Sequence, residues 1–133
     1  MTALTKDDHD RYQRQLIIPA VGEAGQEKLK RARVLVTGAG GLGSPVLLYL
    51  AAAGVGTIAI VDFDKVSVSN LQRQVLYVTG DIGRVKADAA AERISLLNPL
   101  IRVISYPVTL TVENAPELLA GYDIAVDCSD NFA

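Results

Sequence analysis

Three glycines, Gly38, Gly40 and Gly43, stand in GxGxxG spacing, and an acid, Asp62, follows nineteen positions after the last of them. That arrangement is suited to a nucleotide. The first glycine permits a tight turn, the second lets backbone amides approach a phosphate, and the third lets a helix lie close to a sheet, while the acid accepts hydrogen bonds from ribose hydroxyls. Downstream lie two cations, Arg73 within Ser69-Asn70-Leu71-Gln72-Arg73-Gln74 and Lys86 within the first turn of an expected helix. A guanidinium offers a planar fork to phosphate oxygens, and an ammonium offers a compact charge. A lysine at a helix N-terminus opposes the helix dipole, which points to an anion nearby. Two such cations suit a triphosphate better than a dinucleotide pyrophosphate. Past them comes Asp127-Cys128-Ser129-Asp130-Asn131. Asp127 is in phase with its strand and is expected to be partly buried. Asp130 lies just beyond the strand, placed to hold Mg²⁺ together with phosphate oxygens, and Asn131 is suited to a base or ribose. Each of these residues also has a plainer reading taken alone: Lys86 as surface, Ser-Asp-Asn as a simple turn, Asp62 as the start of a solvated loop.

The elements that must position these groups are legible in the pattern. Residues 33–37, 57–62, 102–106 and 124–128 are apolar and rich in β-branched side chains, as strands require. Helices are expected over 43–53, closed by Gly54, over 84–97, closed by Asn98-Pro99, and over 112–120. Strand, helix, strand in repetition implies an α/β, Rossmann-like parallel sheet with right-handed crossovers and helices on both faces. Two polar helices precede it, at 7–16, capped by Thr5 or Asp7, and at 23–31. The organisation expected is a helical arm over 1–31 and a Rossmann-like nucleotide-binding domain over 32–133, incomplete at its C-terminus. Residues 63–83 form a long polar stretch leaving the C-terminal end of the second strand. Such a stretch reads as a functional loop, with a helical turn around residues 70–74.

The 133 residues carry a formal net charge of -2, are 50% hydrophobic and contain one cysteine. Nothing basic suggests nucleic acid, and no apolar run suggests a membrane span. A single cysteine forbids an internal disulfide and favours a reducing compartment, the cytoplasm. Cys128, at the end of an apolar strand, reads as a small buried hydrophobe, and His9, the lone histidine, as a solvated residue.

GAGGLGS, DFDKVSVSNLQRQ, GRVKADAAAERISLLNP and DCSDNF, in this order along nearly the full chain, resemble the nucleotide-binding half of the HesA/MoeB/ThiF adenylyltransferases, relatives of ubiquitin-activating enzymes. The resemblance implies adenylation by ATP of the C-terminal glycine carboxylate of a ubiquitin-like sulfur carrier ending in Gly-Gly, of the molybdopterin or thiazole type, with release of pyrophosphate. It implies that Gly41 and its neighbours bind the nucleotide, that Asp62 binds the ribose, that Asn70, Arg73 and Lys86 bind the phosphates, with Ser69, Leu71 and Gln72 alongside, and that Asp130 binds Mg²⁺. From RYQRQ it implies that Arg14 reaches the site of a neighbouring subunit in a homodimer. The family pattern continues past Ala133 with further strands and, in many members, two CxxC pairs holding a structural zinc, so the chain is expected to be a fragment and poorly active alone. Two other readings compete. An NAD-dependent oxidoreductase would share the glycines and Asp62 but leaves Arg73, Lys86 and Asp130 unexplained. A non-catalytic partner subunit would bind ATP without turnover.

Overall fold

The computed structural model describes residues 3–130. Four parallel strands, β1 (Arg33–Thr37), β2 (Thr57–Val61), β3 (Arg102–Tyr106) and β4 (Ile124–Asp127), form one sheet in the order β3-β2-β1-β4. The register is in step, with Val34 opposite Ile58 and Ile124, and Val36 opposite Ile60 and Val126. The first two crossovers run one way from β1 and the third returns to its other side. The order of the strands therefore reverses between β1 and β4, and the crevice outside their C-terminal ends is where open α/β sheets bind ligands.

Because the two inner strands are covered on both sides, they are apolar almost without interruption: Val34, Leu35, Val36, Ile58, Ala59, Ile60 and Val61 are all buried. One face packs on α3 (Gly43–Ala53) and α4 (Lys86–Leu97) through Leu47, Ala51, Ala90 and Ile94. The other is thinner, with Leu35, Ala59 and Val61 meeting Ile104, Tyr106, Leu118 and Tyr122 around the short helix α5 (Ala115–Leu119). Helix α5 starts later than the sequence pattern suggests. Thr111 and Asn114 exchange side-chain hydrogen bonds with each other's backbone amides, at 2.7 and 3.2 Å, which holds the preceding residues in a turn. Helix α4 likewise begins at Lys86 rather than at Arg84, since Val85 is extended and bridges to Lys65.

Two helices precede the sheet, α1 (Lys6–Leu16) and α2 (Gly22–Arg31). Thr5 caps α1 in a reciprocal box: its hydroxyl accepts from the Asp8 amide at 3.1 Å, and Asp8 accepts from the Thr5 amide at 2.8 Å. The pair docks at the C-terminal ends of α3 and α4. Asn98 donates to the Tyr12 hydroxyl at 2.7 Å, and Gln15 and Gln26 both donate to the Ala53 carbonyl. Gly54, at φ +93°, ends α3 with αL backbone, and a Cβ there would lie 2.6 Å from the Tyr12 ring. His9 is half-exposed, yet it is also paired: its ring bridges the Thr5 carbonyl and the Glu23 carboxylate of α2, and these acceptors raise its pKa. Among the described residues no helix is long and apolar enough to cross a membrane.

Residues 63–83 are anchored without long helices. 3-10 turns occupy Val68–Asn70 and Thr79–Asp81, and Val66, Leu76 and Tyr77 are buried beneath them. The expected helical turn is present one residue pair earlier than its sequence suggests, continued by Gln74 donating to the Asn70 carbonyl at 2.8 Å.

Candidate functional site

The turn after β1 lies at the point where the strand order reverses. Gly38 has φ +88°, and a Cβ on it would stand 2.7 Å from the Cys128 carbonyl group at the end of β4. A side chain is excluded there by conformation and by space. A Cβ on Gly43 would lie 1.9 Å from the Gly38 carbonyl oxygen, so the third glycine is required chiefly because the turn folds back on itself. Gly41 has nothing within 4 Å of such a position. The amides of Gly40, Gly41 and Leu42 make no hydrogen bond among the described residues. They open the N-terminal end of α3, where free N–H groups and the helix dipole together favour an anion.

Asp62 holds this turn in shape. One carboxylate oxygen accepts from the Ala39 amide at 2.7 Å and the other from the Asp64 amide at 2.8 Å. Lone pairs on both oxygens remain for an outside donor. From the other side, the buried Tyr77 hydroxyl donates to the Ala39 carbonyl.

A cavity of about 280 Å³ opens in front of the turn, lined by Gly40, Gly41 and Leu42 on one wall and by Arg73, Gln74 and Lys86 on another. Asp62, Asp64, Cys128, Ser129 and Asp130 complete its rim. Lys86 is 6% exposed, and its ammonium makes no hydrogen bond or ion pair among the described residues. It is the first residue of α4, its own amide donating to the Asp64 carbonyl at 2.7 Å. A cation there is set against the helix dipole, an arrangement that an anion in the cavity would offset. Gln74 is also buried, with its side-chain oxygen unpartnered. Arg73 is exposed, and its guanidinium donates to the Ser69 carbonyl at 3.1 Å.

The structure thus gathers Gly40, Gly41, Asp62, Arg73, Lys86 and Asp130 about one cavity. Ser69, Asn70, Leu71 and Gln72 do not line it. The Asn70 carboxamide instead accepts from the amide and hydroxyl of Ser67, closing its 3-10 turn. Arg14 is exposed on α1, at the far end of α3 and α4 from the cavity. Asn131 lies outside the described residues.

A second cleft, of about 540 Å³, shares Asp62, Asp64, Ser129 and Asp130 with the first and extends over the thin face of the sheet to Phe63, Val108, Leu110 and Leu119. Sequence reasoning missed the last three: Val108 and Leu110 lie in a stretch without helix or strand periodicity, and Leu119 ends α5, a helix that was expected but not linked to a site. Tyr77 and Asp64 were likewise not identified as site groups. For Asp64 the signal existed, two positions past the strand-end acid.

Asp127 is exposed, not partly buried, because β4 is an edge strand in the thinly covered part of the sheet. The Ser129 hydroxyl and amide, then the Thr37 hydroxyl at 3.1 Å, hydrogen-bond its carboxylate and hold its pKa below the ordinary value. Cys128 is buried, and its thiol is pushed up by burial and then by the Asp127 charge. A thiolate is therefore disfavoured there.

The profile of the ThiF family matches residues 12–133, and the chain belongs to that family. It is 62% identical over 128 residues to the sulfur carrier protein adenylyltransferase of Thermus thermophilus, covering 96% of this chain and 47% of that protein. It is 57% identical over 132 residues to the probable adenylyltransferase/sulfurtransferase MoeZ of Mycobacterium tuberculosis, covering 99% of this chain and 34% of that one. The chain therefore spans less than half the length of these relatives. Among solved structures, the tRNA N6-threonylcarbamoyladenosine dehydratase TcdA of E. coli, in complex with ATP, superposes with a TM-score of 0.88 at 31% identity, covering 96% of this chain and 52% of that one.

Proposed function

We propose that this chain forms the nucleotide site of an adenylyltransferase that joins AMP to the C-terminal glycine carboxylate of a ubiquitin-like sulfur carrier, releasing pyrophosphate. The observation that carries the reading is Lys86, whose ammonium has no partner among the described residues and faces free backbone amides and Arg73 across one cavity. The relatives named above supply the carrier, since the Thermus protein bears that substrate in its name. Molybdopterin-type and thiazole-type carriers are the finer candidates.

In this reading the phosphates of ATP lie between the Gly40–Leu42 amides, Lys86 and Arg73, and the ribose hydroxyls donate to the free lone pairs of Asp62. The base enters the apolar cleft beside Val108 and Leu110. Asp130, exposed and with its carboxylate unpartnered among the described residues, has the chemistry for Mg²⁺, which binds through one or two carboxylates plus phosphate oxygens and waters. When bound, Mg²⁺ would neutralise phosphate charge. A carboxylate oxygen of the carrier attacks the α-phosphorus as the bond to the bridging oxygen of the β-phosphate breaks, and pyrophosphate leaves with that electron pair. The attacking group is already ionised, so no general base is required. The protein's contribution is to align two anions and offset their charge. Cys128, buried and held as a thiol, takes no part. The protein acts as a homodimer in which Arg14 serves the neighbouring subunit.

Exchange of labelled pyrophosphate into ATP, dependent on a carrier ending in Gly-Gly, tests the proposal on the full-length protein. Exchange that appears with the carrier and disappears when its last glycine is removed is the expected result. No exchange with any such carrier overturns it.

A further inference from the structure

We propose that Tyr77 is a positioning residue that aims the Gly40 amide into the nucleotide cavity by holding the Ala39–Gly40 peptide from behind. The inference rests on the nucleotide reading of the site and adds to it a residue outside the cavity wall.

Tyr77 is 4% exposed and its hydroxyl donates to the Ala39 carbonyl oxygen. The amide of the same alanine donates to Asp62 at 2.7 Å. Ala39 is thus fixed at both its polar atoms, by side chains from two different segments of chain. A peptide is planar, and in its trans form the C=O of one residue and the N–H of the next point in opposite directions. When the Ala39 carbonyl is turned toward the buried hydroxyl, the Gly40 N–H is turned away from it. Gly40 lines the cavity, and its amide has no partner among the described residues. Glycine at this position would otherwise permit the peptide to rotate, because it has no Cβ to resist the flip. The tyrosine supplies the resistance that the residue type lacks.

The donor is itself held. Val78, next in the chain, donates its amide to Asp81 at 2.9 Å, and Asp81 is 4% exposed and paired with Arg84 at 3.0 Å. Burial, and then the charges of Asp62 and Asp81, push the phenol pKa far up, so the hydroxyl keeps its proton throughout the working pH range. A phenylalanine would fill the same space and leave the Ala39 carbonyl without its donor.

The experiment is calorimetric titration of the full-length protein and its Tyr77→Phe variant with ATP and, separately, with adenosine, which shares base and ribose but carries no phosphate. Tyr12→Phe is the control. It removes another buried hydroxyl, bonded to Asn98 at the opposite end of the sheet, and so matches the loss of a hydrogen bond without touching the turn. Tyr77→Phe is expected to weaken ATP about three- to tenfold, the worth of one hydrogen bond, while adenosine is unchanged and Tyr12→Phe alters neither. Equal weakening of ATP and adenosine, no change in either, or the same ATP loss in Tyr12→Phe would each overturn the proposal. A Tyr77→Phe protein that does not fold, with Tyr12→Phe folded, also overturns it, because the hydroxyl would then serve stability. Failure of the unsubstituted protein to bind ATP saturably overturns the nucleotide reading and this inference with it.

Discussion

At the scale of single residues, the site sets groups that serve folding against groups that cost it. Lys86 begins α4 and its ammonium has no partner among the described residues, so Lys86→Met should leave the ligand-free protein at least as stable as the parent, because it removes a charge set against the helix dipole and keeps a side chain of similar length. The same change should weaken ATP by roughly 2 kcal/mol, about thirtyfold, the scale of a hydrogen bond to a charged group. Thermal melts with and without ATP check both halves; a variant that melts lower without nucleotide contradicts the assignment of Lys86 as strained for function. The glycines divide in the same way. Gly43→Ala places a methyl group 1.9 Å from a backbone oxygen and should prevent the turn from closing, whereas Gly41→Ala meets nothing within 4 Å. Gly41→Ala should therefore melt close to the parent and bind ATP less tightly, which differential scanning and titration would show together. The identity of these residues was legible in the sequence, but not what each glycine is for. The pattern located Gly43 against the sheet, while the structure sets it against the carbonyl of Gly38, a contact made only once the turn is closed.

At the scale of elements, strands and helices followed from local chemistry, and departures occurred where side chains compete with the backbone. Both inner strands begin where apolar periodicity places them, because burial on two faces leaves little freedom of register. Helix α5 is shorter because Thr111 and Asn114 satisfy each other's amides in a turn, and Asn70, which the resemblance implies as a phosphate ligand, closes a 3-10 turn in the structure. Asn and Ser are favoured in both roles, so residue type alone cannot separate them. The loop over 63–83 depends on Asp81. Burial raises the pKa of this acid, but the Val78 amide, the Arg84 hydrogen bond and the Arg93 charge outweigh that effect and leave it lowered. A folded-state pKa below the unfolded value means that Asp81 stabilises the fold above about pH 4. That contribution falls away as the pH drops through the folded value. Asp81→Asn should cost about 2 kcal/mol at neutral pH, discounted because both arginines are partly exposed. It should also flatten the loss of stability on acidification. Urea melts from pH 7 to pH 3 measure this, and parallel curves for parent and variant would show that the carboxylate charge is not what holds the loop.

At the scale of the whole molecule, the sheet divides the chain into a functional end and a docking end. The turn, α4's first residue and Asp130 lie at the C-terminal ends of the strands, while α1 and α2 grip the opposite end through Tyr12, Gln15 and Gln26. Helix α3 spans that separation with 11 residues, about 16 Å at 1.5 Å per residue. Arg14, exposed on α1 beside Gln15, therefore stands far from the cavity of its own chain, and no sequence pattern expresses that distance, which comes from where the arm docks. If Arg14 acts on the nucleotide, it acts on another subunit's. The arrangement gives an unambiguous complementation test in the full-length protein. Arg14→Ala and Asp130→Ala homodimers should each be inactive in pyrophosphate exchange. Mixed and allowed to re-equilibrate in equal amounts, they form heterodimers in half of all pairings. Each heterodimer has one cavity that keeps Asp130 and receives Arg14 from its partner, while its other cavity lacks both. Activity should recover to about a quarter of the parent's, as two-fold symmetry requires. An arginine acting within its own subunit would leave every mixture inactive, since no single chain would carry both residues.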